Sequence, residues 1–333
     1  MTTRIGINGF GRIGRSVFRI AAARDDVEIV GINDLADPAS LAYLLKYDSV
    51  HRRFGTSVRA EDGALVVDDR RVPFTQTRSP AEVPWGEYGA DVVIEATGVM
   101  TKRDAAAGHL AGGAKRVIVS APGKDVDATF VMGVNHDTYD PAKHTVVSNA
   151  SCTTNCLAPV AKVLEDSFGV VSIFMTTIHA YTISQGLLDL PDAKDFRRGR
   201  AAAVSIIPTS TGAAKATGEV IPSLVGKMDG MALRVPVPDG SITDIVANLA
   251  KDVTIDAVHE ALRAAASGPM AGFLAVSDDE LVSADIVGDP HSSIVDSRST
   301  MAIGPRTVKL LSWYDNEWGY ANRCVDLAVH INR

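Results

Sequence analysis

Arg4-Ile-Gly-Ile-Asn-Gly9-Phe-Gly11-Arg12-Ile13-Gly14 is a short apolar strand that runs into three spaced glycines. Residues 16–24 behind it read as a helix, and residues 27–33 as a second strand ending at Asp34. The glycine pattern is the dinucleotide fingerprint in its proper setting. Gly9 permits a tight turn, Gly11 lets a pyrophosphate approach the backbone, and Gly14 allows close packing of the helix. The helix start offers unpaired N–H groups and a positive dipole to an anion. About twenty residues past Gly14, Asp34 can accept hydrogen bonds from a ribose diol and would repel a 2′-phosphate. A merely tight strand-to-helix turn would explain the glycines but not the placement of this carboxylate.

Outward from this unit the same alternation continues. Residues 90–97, 116–120 and 145–148 are β-branched runs, separated by helical stretches such as 102–111. Strands alternating with helices imply a parallel sheet covered on both faces. After residue 150 the pattern changes. Leu157, Val160, Ala161, Val163 and Leu164 repeat at helical spacing up to a stop at Gly169. Residues 170–179, 231–237, 241–249 and 307–314 then alternate as strands with one covered face. The expected fold class is therefore α/β: a Rossmann-type doubly wound domain over residues 1–150, and an α+β domain with a mostly antiparallel sheet over 151–316. Residues 317–333 read as a helix with Ala321, Val325 and Ala328 on one face, too short to be a further domain. The polar stretch 185–200 is long for an ordinary connector, as functional loops often are.

With 333 residues, 46% hydrophobic and 22% charged, the chain has the composition of a globular protein of about two domains. Forty acidic against 33 basic residues, a net charge of −7, argue against a principal nucleic-acid role or a membrane-surface footprint. The apolar runs are too short to span a membrane. Three cysteines cannot complete a disulfide set, and residues 1–4 lack the layout of a signal peptide, so the expected location is cytoplasmic.

Ser151-Cys-Thr-Thr-Asn-Cys156 lies between a strand and a helix beginning near Cys152. A thiol there feels the helix dipole and backbone N–H groups, which favour the reactive thiolate. Cys156, a turn later, reads as structural, and no further Cys or nearby His completes a metal set, so no metal is expected. A cysteine nucleophile needs a positioned base, and His179, at the end of a strand, is the candidate, although a lone histidine is more often structural. Thr209-Ser-Thr211-Gly212-Ala-Ala-Lys215 offers hydroxyls and a glycine ahead of a helix. Arg197, Arg198, Arg200 and Arg234 could add charge. Arg234 sits inside an apolar strand, where an unpaired guanidinium is costly, so an anionic partner is expected for it.

Together, the glycine fingerprint, residues 150–156, residues 209–216, Leu233-Arg-Val-Pro236 and Trp313-Tyr-Asp-Asn-Glu-Trp-Gly319 resemble the phosphorylating glyceraldehyde-3-phosphate dehydrogenases, in matching order along the whole chain. The resemblance implies an NAD domain completed by the C-terminal helix, a catalytic domain between, and a homotetramer. It implies Cys152 as nucleophile and His179 as base. Gly9, Gly11, Arg12, Ile13, Gly14, Asp34, Arg78 and Ser120 would hold NAD, with Asn316 on the nicotinamide carboxamide. Thr182 and Arg234 would bind the phosphate of glyceraldehyde 3-phosphate. Ser151, Thr153, Thr211 and Gly212 would bind the attacking inorganic phosphate, joined by Arg197 or Arg198. The sequence departs from the family at Ile183-Ser-Gln and at Leu190-Pro-Asp-Ala-Lys-Asp195-Phe-Arg-Arg198, with one extra residue and a missing histidine.

The expected activity is the glycolytic, NAD-dependent oxidative phosphorylation of D-glyceraldehyde 3-phosphate to 1,3-bisphosphoglycerate through a thiohemiacetal and a thioester. Erythrose-4-phosphate dehydrogenase shares the nucleophile and fold, but the set of Thr182, Thr211, Gly212 and Arg234 favours the phosphorylating enzyme. A secondary role in RNA or protein binding is the alternative from another class.

Overall fold

A computed structural model describes residues 2–193 and 195–333. Lys194, within the segment where the sequence departs from the family pattern, lies outside the described residues. The chain divides into two compact units. One comprises Met1–Met132, His136–Ser151 and Ala321–Arg333, and the other Gly133–Asn135 and Cys152–Tyr320.

The first unit is built on strands β1 (Thr3–Asn8), β2 (Val27–Asn33), β3 (Val58–Glu61), β4 (Ala64–Val67), β5 (Arg70–Thr75), β6 (Val92–Glu95), β7 (Arg116–Val119), β8 (Ala128–Thr129) and β9 (Val146–Ser148). They form one sheet in the order β8-β9-β7-β6-β1-β2-β5-β4-β3. The strands from β8 to β5 in that order pair in parallel, and the β3-β4-β5 edge is antiparallel. The apolar runs make sense only inside such a sheet: Val92, Val93, Ile94, Val117 and Ile118 are all fully buried. From β1 the chain moves to β2 on one side and later returns to β6 on the other. The strand order therefore reverses at the carboxyl end of β1, where open α/β sheets bind ligands.

Helix α1 (Arg12–Ala21) begins directly at the glycine turn, earlier than the apolar spacing alone predicts. The single helix expected over residues 102–111 is instead two short turns, Arg103–Ala106 and Gly108–Ala111. A Cβ on Gly108 would meet the Pro80 ring at 2.6 Å, so close packing holds this residue to glycine where the helix breaks. The antiparallel edge was not anticipated, although Asp62-Gly63, with Gly63 at φ +67°, marks its hairpin.

In the second unit, helix α2 (Cys152–Phe168) buries Leu157, Val160, Ala161 and Leu164 completely and stops at Gly169, whose φ is +70°. Its sheet contains β10 (Val170–Ala180), β11 (Ile207–Ser210), β12 (Met228–Val235), β13 (Ser241–Leu249), β14 (Leu274–Ser277), β15 (Ser293–Ile303) and β16 (Thr307–Tyr314). The order is β11-β12-β10-β13-β16-β15-β14. Only the β10–β12 and β14–β15 pairs are parallel, as expected of a mostly antiparallel sheet. Burial alternates along β13 and β16, the mark of one covered face. Helices α3 (Ala213–Val220) and α4 (Ile255–Ser267) follow β11 and β13, and α5 (Trp318–Ile331) ends the chain. Ala321, Cys324, Val325, Leu327 and Ala328 of α5, which belong to the first unit, are fully buried. Among the described residues no helix is long and apolar enough to cross a membrane.

Candidate active site and cofactor cradle

The first unit carries the glycine turn. Gly9 has φ +91°, and a Cβ there would stand 2.6 Å from the Thr97 backbone N. A Cβ on Gly14 would stand 2.1 Å from the Gly9 carbonyl oxygen, whereas a Cβ on Gly11 would meet nothing within 4 Å. Two glycines are thus required by the protein's own packing, and the third leaves an open approach to the backbone. Asp34 braces this turn: its carboxylate accepts from Phe10 N at 2.6 Å and Ala36 N at 2.8 Å. Ile13 is half-buried, and Arg78 is exposed without a polar partner among the described residues. Arg12 forms an ion pair with Asp48. Burial pushes the Asp48 carboxyl up, but the His51 N–H and the Arg12 guanidinium outweigh it and hold it at about 2.

Beneath the turn lies a buried polar network that sequence reasoning missed. Glu95, at the end of β6, accepts from Asn8 Nδ2 at 2.5 Å, from Thr97 N at 2.8 Å and from His109 Nε2 at 3.0 Å. Trp85 Nε1 donates to His109 Nδ1 at 3.0 Å, which leaves the His109 proton on Nε2. Asn33 Nδ2 donates to Asn8 Oδ1 at 2.7 Å, and Ser120 Oγ donates to the Glu95 carbonyl at 2.9 Å. These bonds tie the ends of β1, β2 and β6 together. The available signal was Glu95 itself, a carboxylate at the end of an otherwise apolar strand.

In the second unit, α2 starts at Cys152, and its Sγ stands 3.4 Å from His179 Nε2 near the end of β10. The parallel register sets His179 opposite Arg234 on β12. Arg234 Nη1 lies 2.6 Å from His179 Nδ1 and donates to the Ala180 carbonyl at 2.9 Å. Nδ1 is also 2.7 Å from that same carbonyl. A proton on Nδ1, donated to Ala180, leaves Nε2 as an acceptor facing the thiol. The anionic partner expected for Arg234 is not supplied by the protein: among the described residues no carboxylate pairs with it, and its acceptor is the Ala180 carbonyl, beside which the ring nitrogen of His179 lies.

Tyr314 packs against this pair. Its ring meets His179 edge-on at 5.9 Å, and its hydroxyl bridges Thr153 Oγ1 at 2.9 Å and Thr177 Oγ1 at 2.8 Å. The expected lowering of the Cys152 thiol by the helix start does not prevail here. Burial pushes the thiol up, and Arg234 and the Thr153 hydroxyl pull it down without reversing the direction. Burial, aided by the Arg234 charge, pushes His179 down to about 3. A neutral thiol beside a neutral imidazole can pass its proton to Nε2 as sulfur attacks an electrophile. Cys156 is fully buried, and burial pushes its thiol up to about 11.

Cationic and hydroxyl groups gather nearby. Arg198 Nη2 donates to Ser184 Oγ at 2.8 Å, which lies 2.9 Å from Thr182 Oγ1. Burial pushes the Arg234 guanidinium down, and the Arg198 charge adds to that. Arg197 is not brought to this group; it is exposed and lines a cleft with Asp195 and Thr209. Thr211 Oγ1 accepts from Ala213 N at 3.2 Å, and Gly212 caps α3. Ser151 is half-buried just before Cys152. Asn316 lies beyond the end of β16, and its Oδ1 accepts from Ser241 Oγ at 2.6 Å.

A doubly wound sheet with a glycine turn shaped for a pyrophosphate in one unit, and a cysteine–histidine pair beside arginines in the other, are the parts of a dinucleotide-dependent dehydrogenase. Residues 3–103 match the NAD binding domain of glyceraldehyde 3-phosphate dehydrogenase, and residues 151–316 match its C-terminal domain. The chain is 55% identical to glyceraldehyde-3-phosphate dehydrogenase 2 of Streptomyces avermitilis, over 99% of both chains. It is 56% identical to glyceraldehyde-3-phosphate dehydrogenase of Geobacillus stearothermophilus, over 99% of this chain and 98% of the relative. The chain belongs to the glyceraldehyde-3-phosphate dehydrogenase family, and its cofactor is NAD.

Proposed function

We propose that Cys152 and His179 carry out the phosphorylating oxidation of glyceraldehyde 3-phosphate, with Arg234 and Thr182 holding the substrate phosphate. The observation that carries this reading is the 3.4 Å approach of Cys152 Sγ to His179 Nε2 with a guanidinium on the ring's other nitrogen. The glycine turn fits NAD, because Gly9 and Gly14 admit no side chain while the space beside Gly11 is open. When bound, NAD takes up the hydride released from the substrate carbon.

The chain's own groups do the rest. Sγ bonds to the aldehyde carbon, its proton passes to Nε2, and the carbonyl oxygen receives that proton to give a thiohemiacetal. The Cys152 backbone N–H and protonated His179 can stabilise the developing oxyanion. His179 Nε2 then removes the hydroxyl proton as hydride departs, leaving a thioester on sulfur. Inorganic phosphate, held by Ser151, Thr153, Thr211, Gly212 and Arg198, attacks the thioester carbon; the C–S bond breaks and the acyl phosphate leaves. We favour Arg198 over Arg197 here because only Arg198 reaches Ser184 and bears on Arg234. Gly9, Gly11, Arg12, Ile13, Gly14, Asp34, Arg78 and Ser120 are the proposed cofactor contacts, with Asn316 on the nicotinamide carboxamide.

A homotetramer in the cytoplasm suits the surface and the thiols. Phe174, Ile183, Leu187, Leu188 and Phe196 are all more than half exposed, and three cysteines stay free of disulfides. The direct test is NADH formation from glyceraldehyde 3-phosphate with and without inorganic phosphate. Turnover that requires phosphate is expected; steady turnover indifferent to phosphate overturns the phosphorylating assignment.

A further inference from the structure

Ser241, the first residue of β13, is fully buried, and its hydroxyl has two polar neighbours. It accepts from Ala180 N at 3.0 Å and lies 2.6 Å from Asn316 Oδ1. A hydroxyl has one proton, and the first of these neighbours is itself a donor, so the proton must go to Asn316. That requirement fixes the amide: its oxygen faces Ser241, and a flipped amide would leave the serine proton without an acceptor in a buried place. Asn316 Nδ2 makes no hydrogen bond among the described residues, so both its protons are available. The neighbouring backbone is held independently. Asp315 accepts from Glu317 N at 2.8 Å, from Trp318 N at 2.6 Å and from Gly288 N at 2.7 Å.

We propose that Ser241 is a positioning residue that locks the Asn316 amide with Nδ2 outward, so that it can only donate to the carbonyl of the nicotinamide carboxamide. The inference rests on the reading that Asn316 holds that carboxamide. Ala180, which donates to Ser241, also carries the carbonyl shared by Arg234 and His179, so the test has to separate an effect on Asn316 from one on His179.

A double-mutant cycle tests it, because two residues that act as one unit are not additive. Ser241→Ala is expected to lower kcat/KM for NAD about tenfold, the usual scale for one lost hydrogen bond. In an Asn316→Ala background the same change should cost less than twofold. Ser241→Cys keeps the shape of the side chain with a slightly larger atom but is a poor donor, and it should repeat the loss if the alanine variant folds badly. The rate at which iodoacetamide alkylates Cys152 without cofactor should stay within twofold of the parent in every Ser241 variant. An equal loss in both backgrounds, or a fall in alkylation that parallels the fall in turnover, assigns Ser241 to His179 instead and overturns the proposal. Unchanged use of NAD by Asn316→Ala alone would show that the underlying reading of Asn316 had failed.

Discussion

Cys152 and His179 lie 27 residues apart in sequence and 3.4 Å apart in space, so their chemistry separates cleanly by substitution. Cys152→Ala should abolish phosphorylating oxidation while NAD titrations stay close to the parent, because no atom of the glycine turn is altered. Residual turnover near the parent level would refute covalent capture. His179→Asn keeps a polar side chain but cannot take the thiol proton; alkylation of Cys152 near neutral pH should slow by at least tenfold. An unchanged alkylation rate would mean that the imidazole does not serve the thiol. Arg234 has an electrostatic signature of its own. Its guanidinium and burial together hold His179 well below the ordinary imidazole value. Removing the cation favours the charged ring, so in Arg234→Gln the His179 NMR titration should move to higher pH. The KM for glyceraldehyde 3-phosphate should rise while that for NAD stays put. A titration that moves to lower pH, or not at all, contradicts the close Arg234–His179 contact.

At the scale of elements, the strand–turn–helix unit predicts two different outcomes from one kind of change. Gly14→Ala forces a methyl against the Gly9 carbonyl at 2.1 Å, so β1 and α1 must separate. A loss of about 1–3 kcal/mol of stability is expected, read as a lower Tm. Gly11→Ala meets no protein atom within 4 Å, so its Tm should hold while NAD affinity falls. A Gly11 variant that melts early but binds NAD normally would reverse this reading of the turn. The unit was legible in the sequence because its glycines act locally, at fixed spacing, between two strong periodic patterns. The Cys152 helix and strands β13 and β16 were legible for the same reason. The close packing at Gly108 was not, because it is set by Pro80, a neighbour distant in sequence. Glu95, His109 and Ser241 escaped notice likewise: the meaning of a single buried polar residue depends on hydrogen-bond partners from other elements of the chain. The proposed preference for Arg198 over Arg197 rests on the path of the loop, which no local pattern gives.

Over the whole molecule, the first unit draws on both ends of the chain. Its final piece, Ala321–Arg333, carries the fully buried Val325, Leu327 and Ala328 and is tied to that unit through Asp326 to Arg24 and Asn332 to Thr3. Removing residues 321–333 should expose this apolar surface, lower solubility and abolish NAD binding, although every proposed cofactor contact remains in the shortened chain. A soluble truncated protein with parent-like NAD affinity would show that the segment is dispensable.

Ribosomes emit chains from the amino end, and nascent domains ordinarily fold in that order. Here the unit that emerges first has to wait for a segment that emerges after the whole of the second unit. While the second unit is being translated, the first unit lacks Asp326, His330 and Asn332, which bond to Arg24, the His136 carbonyl and Thr3. Its final consolidation is therefore post-translational, and a ribosome stalled shortly before codon 321 should hold a nascent chain that proteases cleave in the first unit.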